Sequence, residues 1–198
     1  MLIDSLTFTL EKSGCLDAFW GRLDAGEDGT LGVASSARPF LVAARFAHRP
    51  QTTLVVVAGE EAAIAFARQV AAYLGDERVM RFPERSDYPW GGKPGDPAQA
   101  ARRLEAAWAL QSARPVIVVA SATALLRTMP PASAQVARPL SFRQGDALDA
   151  GDVPGVSSFD DVARALEARG YQNTGELEGH GTFCVRGGAI DVYPGNLV

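Results

Sequence analysis

Residues 32–39 read GVASSARP. A phosphate-binding loop of the G-x-x-x-x-G-K-[ST] kind needs glycines that bring backbone N–H groups against phosphate. It also needs a lysine for the outer phosphates and a hydroxyl residue for magnesium. On that template Gly32 fills the first glycine and Ser35 falls inside the loop. Ala37 replaces the second glycine, Arg38 the lysine and Pro39 the hydroxyl residue. Proline has neither a backbone donor nor a metal-ligating oxygen, so one exchange removes two functions. The expectation is a degenerate nucleotide loop, with no cofactor and no metal.

Other reactive types are scattered. Cys15 and Cys184 form no CxxC pair, which suggests neither a zinc site nor a disulfide framework. His48 and His180 stand isolated, and His180, in a Gly-His-Gly turn, reads as a solvated turn residue. Asp160 and Asp161 fit ordinary helix N-terminal carboxylates. Tyr88 and Trp90 could stack a base, although a Pro/Gly-rich loop more often uses such rings as anchors. Ser121 follows a strand but lacks a surrounding G-x-S-x-G and reads as a helix cap. No triad or catalytic carboxylate pair assembles, so the candidate catalytic set is empty.

The elements that must position these residues follow from periodicity. Apolar runs at 54–58 (LVVVA) and 116–120 (VIVVA) predict buried parallel strands, with a shorter strand at 79–82. Residues 60–74 predict a helix with acidic residues in the first turn and Gly75 as its stop. Asp96 as cap and Pro97 at the first position predict another over 97–111, and residues 36–47 a weaker third. Such alternation points to an α/β fold, a parallel sheet with flanking helices, over residues 1–131. After Pro130 and Pro131 the pattern changes to a small α+β domain, 132–198. It has a short strand at 139–143, then a helix at 159–169 that Ser158 caps and Gly170 ends.

Residues 182–186 and 189–193 form the clearest hairpin, closed by Gly187 and Gly188 in a two-residue primed turn. That turn opposes Arg186 to Ala189, Val185 to Ile190, Cys184 to Asp191, Phe183 to Val192 and Thr182 to Tyr193. Because side chains alternate, Phe183, Val185, Ile190 and Val192 share a face that should be core. Arg186, Asp191 and Tyr193 share the outer face. An arginine beside a tyrosine on a flat strand face suits a protein–protein contact; the plain alternative is an exposed arginine paired with Asp191.

The ordered set of motifs resembles UvrB and the bacterial transcription-repair coupling factors. GVASSARP resembles the UvrB loop GVTGSGKT with its working residues exchanged, and CVRGGAIDVYP at 184–194 resembles the VRGxxIDIFP run of the second domain. RFPERSDYPW at 81–90 and VIVVAS at 116–121 fall between them in the right order. UvrB carries a long aromatic hairpin for which residues 84–95 are too short, and tends to have arginine where Cys184 stands. Both departures favour the coupling factors. The resemblance implies a UvrB-like N-terminal region that recruits UvrA through the second domain, with Arg186 as a UvrA contact. It also implies motor and polymerase-binding domains in cis in an ATP-dependent DNA-translocating parent. The family continues with a further strand, so the chain is expected to be incomplete at its C-terminus.

Composition bounds the alternatives. The 198 residues carry 19 basic and 23 acidic groups, net −4, and 47% are apolar, enough for a substantial core. From Arg138 onward five arginines meet nine carboxylates, while the earlier part is neutral. Neither part has the basic excess of a nucleic-acid clamp, so DNA is expected to bind weakly or indirectly. An active nucleotidase or translocase needs an intact loop and a strand ending in acidic metal ligands, whereas VIVVA runs into Ser121 and Ala122. The start of the chain lacks the pattern of a signal peptide, and no run reaches membrane-span length, which makes the cytoplasm the expected compartment.

Overall fold

A computed structural model describes residues 2–86, 95–129, 131, 140–142, 144–145 and 156–194, with only the backbone of 2–6. Tyr88, Trp90 and Pro130 lie outside the described residues. The chain divides into two compact units. The first comprises residues 1–81 and 112–122, the second 82–111 and 123–198.

The first unit opens with two helices that the sequence patterns did not announce, α1 (Leu2–Ser13) and α2 (Asp17–Asp24). Leu16 and Trp20 pack with Ala44 of α3 (Arg38–His48) to form a satellite core. The main core lies between α3, α4 (Glu60–Leu74) and a sheet. Phe46, Ala63, Ala67, Val70 and Leu74 meet Ile117 and Val119 there. Helix α4 has the bounds expected from its acidic start and Gly75. That glycine sits at φ +93°, a left-handed conformation that ends the helix without strain on a side chain.

Strands β1 (Thr53–Val57), β2 (Val79–Phe82) and β3 (Ile117–Ser121) lie in the order β1-β3-β2. Strand β1 pairs with β3 in parallel, Thr53 opposite Ile117 through Val57 opposite Ser121. The parallel α/β reading therefore holds for this pair. One expectation fails: β1 is not buried throughout. It lies at the sheet edge, with Val55 and Val57 packed toward α3 and α4, and Leu54 and Val56 exposed on the alternate face. A continuous apolar run marks a strand but does not guarantee cover on both sides.

In the second unit, α5 (Pro97–Ala109) starts as read, with the Asp96 carboxylate accepting from the Ala98 N–H at 2.9 Å. A short helix, α6 (Ala122–Leu125), follows β3 directly. Helix α7 (Phe159–Glu167) then packs Val162 and Leu166 against Phe183, while Phe159 is exposed. The strands β4 (Gln172–Asn173), β5 (Thr182–Arg186) and β6 (Ala189–Tyr193) form a second sheet in that order. Residues 140–142 are not a strand; the ends of that expected element, 139 and 143, lie outside the described residues.

Candidate interaction face on the terminal hairpin

The hairpin has the expected register, Thr182 opposite Tyr193, Phe183 opposite Val192, Cys184 opposite Asp191, Val185 opposite Ile190 and Arg186 opposite Ala189. Gly187 and Gly188 both take positive φ, +52° and +90°, as a primed two-residue turn requires. Alternation then places Arg186, Asp191 and Tyr193 on one face, and all three are exposed.

Each of the three has a defined neighbour. Arg186 donates through Nη2 to the Gly175 carbonyl at 2.7 Å, which ties the hairpin tip to the preceding loop rather than to Asp191. The Cys184 thiol approaches Asp191 Oδ2 at 3.8 Å, a weak contact. The Tyr193 ring meets the His180 ring edge-on, with centroids 4.7 Å apart.

The opposite face corrects the sequence reading. Phe183 is fully buried, but Val185 and Val192 are exposed at 48% and 36%, and Cys184, on the outer face, is buried. The core of α7 reaches Phe183 and Ile190. It does not cover Val185 beside the turn or Val192 on the edge strand. Period-two alternation tells which residues share a face, and the covering helix decides how much of that face is core.

The loop of residues 32–39 contains a single 3-10 turn, Ser35–Ala37, closed by the Ala37 N–H on the Ala34 carbonyl at 3.0 Å. Helix α3 then begins at Arg38 without a side-chain cap, and Pro39 is buried in its first turn. A working phosphate loop is fed by a strand, whereas residues 25–34 here are irregular and follow α2. Gly32 has open space where a Cβ would stand and needs no left-handed φ, so the position does not demand glycine. Ser35 and Arg38 are exposed.

Several side chains do more than the sequence suggested. His48 is paired: Nδ1 lies 2.8 Å from Glu11 Oε1, and its ring stacks on Trp20 at 5.3 Å. Asp24 bridges Arg45 and Arg49. The Arg45 hydrogen bond foremost, aided by Arg49, holds that carboxyl below its ordinary range. Ser158 caps α7 by accepting from the Asp161 N–H at 3.2 Å. The Asp161 carboxylate in turn accepts from the Ser158 hydroxyl, the Ser157 N–H and the Ser157 hydroxyl, in that order of weight, which lowers its pKa.

Arg103 was not anticipated. It is 2% exposed, lies 4.0 Å over the Phe82 ring, and donates to the carbonyls of Pro83 at 2.6 Å and Ala124 at 3.2 Å. It thereby rivets α5 to the segments on either side, beside a cavity of about 350 Å³ that Arg85, Ser86, Asp96 and Met129 help to line. Its signal was present in the sequence: Arg103 occupies the same i, i+3, i+6 stripe as buried Ala106 and Ala109. Among the described residues no group of three or more His, Cys, Asp or Glu is placed to hold a metal ion. No helix among them is long and apolar enough to cross a membrane.

No family model matches the chain. Relatives do. A transcription-repair-coupling factor of Myxococcus xanthus is 31% identical over 171 residues, 83% of this chain and 14% of that protein. One from Bacillus subtilis is 26% identical over 125 residues, 63% of this chain and 10% of the relative. The UvrABC system protein B of Idiomarina loihiensis is 26% identical over 199 residues, 93% of this chain and 28% of the relative. The chain therefore spans only a minor part, between 10% and 28%, of these relatives. It is homologous to transcription-repair-coupling factors and to UvrB, as its motifs suggested.

Proposed function

We propose that this chain is a non-catalytic interaction module of a transcription-coupled nucleotide-excision-repair factor, which recruits UvrA through the face carrying Arg186, Asp191 and Tyr193. One observation carries the reading: the hairpin register brings those three exposed side chains onto a single face. A flat strand surface with an arginine and an aromatic ring has the composition of a binding hot spot. The kinship with coupling factors and UvrB supplies the repair context.

The module would act in cis with a DNA-translocating motor and a polymerase-binding region, in the cytoplasm, and meet DNA weakly or indirectly. We retain the division into 1–131, a scaffold resembling the first UvrB domain, and 132–198, the smaller docking domain. In this reading the loop with Gly32, Ser35, Ala37, Arg38 and Pro39 is a decayed nucleotide site. The missing lysine and hydroxyl and the irregular lead-in before α3 support that. A second reading, a nucleotide-binding or DNA-translocating UvrB-like domain, draws on the same kinship but finds no support in residues 32–39.

Calorimetry separates the two. The chain is expected to bind purified UvrA saturably and to give no heat with ATP, with or without magnesium. Micromolar ATP affinity would overturn the decayed-site reading, and absence of a UvrA complex would overturn the docking reading.

A further inference from the structure

The face that presents Tyr193 is braced by a residue outside it. His180 sits between Gly179 and Gly181 in the turn that leads into β5. Its Nδ1 lies 3.0 Å from the Pro194 carbonyl, and its ring packs edge-on against Tyr193. A carbonyl can only accept, so Nδ1 carries the proton. The neighbouring Gly181 N–H donates to the Tyr193 carbonyl at 3.0 Å. Two donors from adjacent residues thus grip two successive carbonyls at the end of β6.

The turn itself is stiff. The Gly179 carbonyl accepts from both the Thr182 N–H at 3.3 Å and the Thr182 hydroxyl at 2.7 Å. Gly181 takes φ +79°, where a side chain would be strained, and an added Cβ would stand 3.2 Å from Pro97 Cβ. His180 is partly buried, whereas Tyr193 is 37% exposed. A partly exposed tyrosine at the end of an edge strand would otherwise sample several rotamers, and fixing them on binding costs affinity.

We infer that His180 is a positioning residue for the docking face, holding the Tyr193 ring in one orientation before a partner protein arrives. The inference rests on the docking reading above, but the brace can be tested without any partner. Fluorotyrosine labelling gives four resonances, one for each tyrosine, and Tyr193→Phe assigns the one that matters. His180→Ala is expected to move the Tyr193 resonance. His180→Asn, whose amide can still donate toward Pro194, is expected to move it while better preserving the turn. An unmoved resonance in both variants overturns the brace whatever UvrA does.

The second arm uses purified UvrA and the full chain. Both His180 variants should weaken binding about threefold to tenfold, the range expected for losing one aromatic contact. Adding either to Tyr193→Ala should weaken it no further, because the effect passes through that ring. A purely structural His180 would lower thermal stability with equal losses in the presence and absence of Tyr193, and that result overturns the inference. Failure of the wild-type chain to bind UvrA overturns the docking reading and the docking role of His180 with it, while the resonance still decides the brace.

Discussion

In the first unit β3 lies between two strands and is buried at all five positions, whereas in the second unit β5 also lies between two strands and is buried at only two. Central position in a sheet does not by itself make a core. Strand β3 lies in the sheet that α3 and α4 cover on one face. Strand β5 is covered by the nine-residue α7, which reaches Phe183 and leaves Val185 to solvent. The difference suits a scaffold on one side and a presenting surface on the other. A strand with open side chains near its turn can meet a partner without first unfolding.

Substitution along that one strand tests the comparison hardest. Phe183→Ala should destabilise the second unit by about 3–5 kcal/mol, since it removes a fully buried ring from beneath α7. Val185→Ala, two residues on and on the same face, should cost less than about 1 kcal/mol. Val185→Asp should likewise fold, although a reading from alternation alone would bury its charge. Urea unfolding followed by circular dichroism measures all three. Equal losses at 183 and 185 would break the distinction between covered and open halves of the hairpin.

Arg103 sharpens the same comparison, because the second unit places a guanidinium where the first uses apolar side chains. Arg103→Met should cost about 2–3 kcal/mol by removing the buried hydrogen bonds that the guanidinium donates to the Pro83 and Ala124 carbonyls. A smaller effect follows at the start of α7: Ser158→Ala should cost about 1 kcal/mol through the lost cap.

Asp161 adds a pH dependence whose sign is set by its lowered pKa. A carboxyl depressed on folding contributes stability above its ordinary value of 3.8, and that contribution disappears as pH falls through the folded pKa. Asp161→Asn should therefore lower the melting temperature near neutral pH, with the gap to wild type closing below pH 3.8. A gap that stays constant down to the acid limit would assign the effect to packing.

Much of this architecture is legible from residues alone, for identifiable reasons. Acidic residues at Glu60 and Glu61 and a stop at Gly75 bound α4, and two glycines at 187 and 188 set the hairpin register residue by residue. These are local signals. What escapes is whatever depends on distant cover. Leu54 and Val56 look as apolar as Val118 and Val119, yet only the latter pair is buried. Helices α1 and α2 are short, are separated by a turn at Gly14 and owe their order to packing on α3, which periodicity within residues 1–24 does not reveal. His180 looks like a solvated turn residue until the end of β6 is brought beside it. In the candidate face, sharing of a side by Arg186, Asp191 and Tyr193 was readable, while their neighbours were not.

The most direct test of the docking account is the affinity of purified UvrA for the Arg186→Ala chain against wild type, measured beside the thermal stability of both. An arginine can form paired hydrogen bonds with a partner carboxylate, and alanine cannot. The account predicts binding weaker by about 1–3 kcal/mol, with little loss of stability, since the side chain is exposed and hydrogen-bonds within the chain to the Gly175 carbonyl. Unchanged UvrA affinity in a folded Arg186→Ala chain would contradict it.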